Sequence, residues 1–101
     1  MPNMIFMSER DVAQFVGERL RQYRVTAGLR RSDLAERMGV SLSTVRNIEK
    51  GVSGTIDHFV SFLRATGRLA QLEQLLEPPQ ISPLAMARAM KPFPQRVRKR
   101  S

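Results

Sequence analysis

The sequence predicts an all-α fold of five helices. Three observations carry this. Apolar residues recur at the three- and four-residue spacing of a helix face, single glycines or Pro78-Pro79 separate the periodic segments, and a Ser or Thr stands at the start of several of them. No stretch alternates apolar and polar residues for more than a few positions, so strands are not expected.

Residues 1–7 are a short apolar lead in which Met4 and Met7 each offer an alternative start. Ser8 with Asp11 has the form of a capping box and opens the first helix. Val12, Val16, Leu20, Tyr23 and Ala27 then recur at helical spacing with Phe15 beside them, and Gly28 closes the helix. The second helix runs over Arg31 to Met38 with Leu34, Ala35 and Met38 inward, and Gly39 breaks it. Ser41 caps a third, Leu42 to Lys50, with Val45 and Ile48 inward and Gly51 as its stop. Thr55 caps a fourth, reaching about Thr66, with Ile56, Phe59, Val60 and Leu63 expected on its core face. A fifth, Arg68 to Glu77, carries Leu69, Leu72 and Leu76, with Leu75 alongside, and Pro78-Pro79 ends it because proline cannot continue a helix. Phe62 and Leu75 fall off these core faces and are candidates for contact between subunits.

Three regions result: a lead (1–7), a helical domain (8–77) and a proline-containing basic C-terminal tail (78–101). All nine acidic residues lie in 1–77, where they nearly balance eleven of the seventeen cations. The other six cations, Arg88, Lys91, Arg96, Arg98, Lys99 and Arg100, follow Pro79 with no acid among them. The net charge of +8 therefore belongs largely to the tail and suits a polyanion. An anionic membrane surface would also attract it. No apolar run reaches the roughly 20 residues of a membrane span, and the expected setting is cytoplasmic and nucleoid-associated. Cysteine is absent, His58 is the single histidine and the carboxylates are scattered. Neither a metal site nor acid–base or nucleophilic catalysis has the residues it needs, so no cofactor and no enzyme activity are expected. His58 is expected on the surface of the fourth helix.

The second and third helices with their glycine turn form a specific unit. Short helices that cross steeply need a small residue at the crossing (Ala35), a residue tolerant of positive φ at the turn (Gly39) and apolar anchors on the second helix (Val40, Val45, Ile48). Gly17-Glu18-Arg19-Leu20-Arg21-Gln22-Tyr23-Arg24, Ser32-Asp33-Leu34-Ala35-Glu36-Arg37-Met38-Gly39-Val40-Ser41 and Ser43-Thr44-Val45-Arg46-Asn47-Ile48-Glu49-Lys50-Gly51 resemble the XRE helix-turn-helix family, the group of the phage lambda repressor and Cro. The resemblance covers about 11–67. It implies a five-helix lambda-repressor-like domain that binds double-stranded DNA, usually as a homodimer on a palindromic operator and usually as a repressor.

Carried over residue by residue, the resemblance implies a structural ion pair between Arg24 and Glu49 and a phosphate contact at Arg31, where a helix N-terminus already favours an anion. It sends the third helix into the major groove. With Val45 and Ile48 inward, the base-reading candidates are Leu42, Ser43, Arg46 and Asn47. Arg46 can grip guanine O6 and N7 as a fork, and Asn47 can pair with adenine or touch phosphate. Thr44, Lys50 and Ser53 are candidates for the DNA backbone. Leu42 replaces the polar residue usual at its place and either meets a thymine methyl or packs inward. The implied dimer uses the fourth and fifth helices. For the tail three readings stand: a basic arm of Arg96, Arg98, Lys99 and Arg100 on DNA, a docking segment Leu84–Met90, or a solubilising extension. The second reading makes the chain similar to HipB-like antitoxins, which bind a toxin and regulate their own operon. RNA binding through the tail is a further alternative, in which replacing Arg46 changes nothing.

Overall fold

The computed structural model describes residues 3–80 and 83–89. After a 3-10 turn at Met4–Phe6 come α1 (Glu9–Thr26), α2 (Arg31–Met38), α3 (Leu42–Lys50), α4 (Ile56–Ala65), α5 (Leu69–Leu75) and α6 (Pro83–Ala89). Among the described residues there is no strand. No helix there is long and apolar enough to cross a membrane.

Local chemistry sets most of the boundaries. Ser8 accepts from the Asp11 amide, Ser41 from Thr44 and Thr55 from His58, each satisfying an amide the helix leaves free. Gly39 ends α2 at φ 71°, a conformation costly for any residue with a Cβ, and its turn is closed by the Val40 amide on the Ala35 carbonyl. Arg30 begins α2 with its own amide donating to Asp33 Oδ2 at 2.9 Å.

Leu20, Leu34, Ala35, Val45, Ile48, Phe62 and Leu63 make the buried core, so α1 to α4 each contribute. α1 packs on α3, and α2 packs on both α3 and α4. Two expectations for α4 are corrected. Ile56, expected on the core face, is 81% exposed, and Phe62, expected off that face and a candidate for contact between subunits, is fully buried in its own chain. Phe59, Phe62, Leu63 and Thr66 face inward, spaced i, i+3, i+4 and i+7, so the core stripe is turned around the axis from the one the pattern suggested. Thr66 closes that stripe by donating its hydroxyl to the carbonyls of Phe62 and Leu63. The fifth helix stops at Leu75 instead of Glu77, and Leu76 and Ala27 are exposed. In α6, Leu84 is exposed. The tail residues Arg96, Arg98, Lys99 and Arg100 lie outside the described residues.

Candidate nucleic-acid interface

α3 is built with two unlike sides. Val45 is fully buried, and Ile48 and Glu49 are 7% exposed, so one side is sunk into the molecule. Ser43, Arg46 and Lys50 are exposed and Asn47 is half-buried. At spacing i, i+3, i+4 and i+7 these four share the opposite face. Arg46 and Lys50 enter no ion pair among the described residues. Leu42 is exposed at the first helical position and is not packed among the core residues. Thr44 is half-buried and its hydroxyl shares a 2.9 Å hydrogen bond with Ser41 Oγ, which ties it to the cap. Ser53 is exposed in the loop after α3.

Glu49 sets the position of this helix. Its carboxylate accepts from Arg24 Nε at 2.6 Å and from Arg24 Nη2 at 3.3 Å, and Arg24 Nη1 donates to the Leu29 carbonyl at 2.8 Å. Both side chains of the pair are buried. Arg31 Nε donates to Glu49 Oε1, the oxygen that also accepts from Arg24 Nη2, at 3.0 Å while its side chain stays 43% exposed. One carboxylate therefore joins α1, α2 and α3. A buried charge held by two guanidiniums and several hydrogen bonds is satisfied, whereas either partner left alone would be a costly defect. The hydrogen bond to Glu49 orients Arg31, which was singled out only as a phosphate contact.

A second anchor escaped the sequence reading. A Cβ on Gly17 would lie 2.5 Å from the Glu49 carbonyl oxygen and 2.8 Å from the Gly51 amide nitrogen. The backbone of α1 thus rests directly on the end of α3, and only glycine fits. Gly51, at φ 74°, meets the Ala13 carbonyl in the same way. Gly17 sits mid-helix, where glycine is unfavourable by about 1 kcal/mol relative to alanine, and that cost was the available signal of a close approach.

Between α1, the start of α2 and α3 lies an open cleft of about 440 Å³ walled by Glu18, Arg21, Arg31, Arg46, Glu49 and Lys50. Arg21 donates to both oxygens of Glu18, at 2.9 to 3.3 Å, and these hydrogen bonds hold the Glu18 carboxyl below the usual carboxylate range.

His58 is corrected too. It is half-buried beside the loop Val52–Gly54, and its ring Nδ1 is buried without a hydrogen-bonding partner among the described residues. No cluster of potential metal ligands occurs among the described residues.

A family model described as a helix-turn-helix domain matches residues 16–77, which takes in α2, α3, α4 and α5 with most of α1. No curated protein matches the chain.

Proposed function

Because the chain belongs to an XRE-like helix-turn-helix family, we propose that it is a sequence-specific transcriptional repressor that reads a palindromic operator as a dimer. The family makes it a DNA-binding domain; the repressor, dimer and operator details are the proposal. The observation that supports it best is the division of α3. Glu49, Val45 and Ile48 hold one side rigidly, and the other presents Ser43, Arg46, Asn47 and Lys50 to solvent. A preorganised helix with a free guanidinium is what reading of guanine in the major groove requires. In this reading Arg46 and Asn47 meet bases with Ser43, Leu42 touches a thymine methyl, and Arg31, Lys50 and Ser53 meet phosphates. Thr44 approaches the backbone from the cap.

The proposed dimer joins copies at the α5 end, where Leu75 is 73% exposed. Two copies would then place their reading helices about 34 Å apart, one turn of the duplex. Binding would block polymerase at an overlapping promoter. The antitoxin reading keeps a foothold in α6, which exposes Leu84 on Leu84–Met90; co-purification with a neighbouring-gene product distinguishes it.

Selection of bound sequences from a random duplex pool with the purified protein tests the reading. A recovered palindrome supports it, and recovery of unselected sequence overturns it. On the selected site Arg46→Ala costs about 1–3 kcal/mol, with a much smaller loss on random DNA. Equal losses on both assign Arg46 to the backbone.

A further inference from the structure

We infer that Arg21 is a further contact to the DNA backbone, paired with Glu18 in the free protein and transferred to a phosphate when the duplex docks. This rests on the reading of α3 above. The cleft between α1 and α3 puts Arg21 on the same open surface as Arg31, Arg46 and Lys50. Its two carboxylates are not equivalent. Glu49 is turned into the protein, its side chain 3% exposed, and is occupied by Arg24 and Arg31. Glu18 is half in water, and its ion-pair partner among the described residues is Arg21. An incoming phosphate therefore meets two cations outside any ion pair among the described residues, Arg46 and Lys50, and two paired ones, Arg31 on Glu49 and Arg21 on Glu18.

Three physical points make the exchange favourable. The Arg21–Glu18 pair is exposed on both sides, 40% and 50%, and such pairs contribute little net stability, so opening it costs little. A phosphate offers the guanidinium the same two-pronged acceptor that it leaves. Arg21 also needs no large movement to arrive, because Gly17, one residue before Glu18, rests on the α3 backbone and fixes this stretch of α1 beside the reading helix. Glu18, as a like charge facing the DNA, weakens binding by holding Arg21 back and, once Arg21 has left it, by its own uncompensated charge. The pair thus makes docking more sensitive to salt than the count of free cations implies.

The test uses the full chain and a random-sequence duplex, since a phosphate contact is indifferent to base order. Binding is measured across a salt series for the parent, Arg21→Ala, Glu18→Gln, Lys50→Ala and Arg19→Ala, with thermal melts to show that each variant folds. Arg19 stacks on Phe15, 5.1 Å from the ring centroid, beside a different groove, and reports the effect of net charge alone. The expected result is a slope of log K against log salt shallower by about 0.9 for Arg21→Ala, the value of one phosphate. Glu18→Gln binds several-fold tighter at low salt. Arg19→Ala leaves the slope at the parental value. A parental slope for Arg21→Ala while Lys50→Ala loses its share overturns this inference and spares the α3 reading. So does an equal loss from Arg19→Ala. A parent that binds no duplex overturns both.

Discussion

α3 and α5 show how differently one small protein treats two of its helices. α3 has nine residues, three of them buried, with a serine cap at one end and a left-handed glycine at the other. α5 has seven residues, none buried, and no side-chain cap. The polar outer side of α3 is stable in water without a partner. α5 leaves Leu75 73% exposed, Leu76 beside it is 67% exposed, and in the turn before α1 Ile5 and Phe6 are 86% and 85% exposed. The contrast is one of packing: α3 is held on its apolar side by the core and by Glu49, and the α5 end leaves apolar surface uncovered among the described residues.

The strongest challenge to that contrast is at Glu49. Replacing it by alanine leaves the buried Arg24 unpaired and should destabilise the fold by about 3–5 kcal/mol in urea denaturation. A loss under about 1 kcal/mol would mean that α3 is held by its apolar side alone. Next is Gly17→Ala, whose added methyl meets backbone that cannot swing aside, for an expected loss of about 1–3 kcal/mol. A Gly17→Ala loss within about 0.5 kcal/mol would mean that the close approach is not what holds α1 to α3. The smallest effect on the monomer belongs to Leu75→Asn with Leu76→Asn, within about 0.5 kcal/mol in thermal unfolding. The same pair should abolish self-association in sedimentation. Unchanged association would move the dimer contact away from α5.

The residues that punctuate the chain were legible one by one. Ser8, Ser41 and Thr55 cap the helices they were expected to cap, and Gly28, Gly39 and Gly51 take the positive φ that ends them. These are local effects, decided within one turn. Phe62 was misplaced because periodicity fixes that a helix has an apolar stripe, and α4 has more apolar residues than one stripe can hold. Which of them turn inward depends on the elements packed against it. His58 was misplaced for a related reason, since the loop beside it has no periodicity to read. The pairing of Arg24 with Glu49 was expected from family resemblance, across 25 positions of chain. The third member, Arg31, lay on another helix, and no spacing rule connects it.

Sequence by itself determined where α1 to α4 start and stop, which side of α2 and α3 is apolar, and that glycine must stand at the turn between them. Those outcomes follow from φ preferences, missing amide partners and the 3.6-residue period, all of which act within a few residues. Tertiary structure alone decided that Glu49 gathers two arginines, that Gly17 is a contact surface, and that Arg21 shares a cleft with α3. Each of these depends on the distance between atoms far apart in the chain, and that distance exists only once the helices have packed.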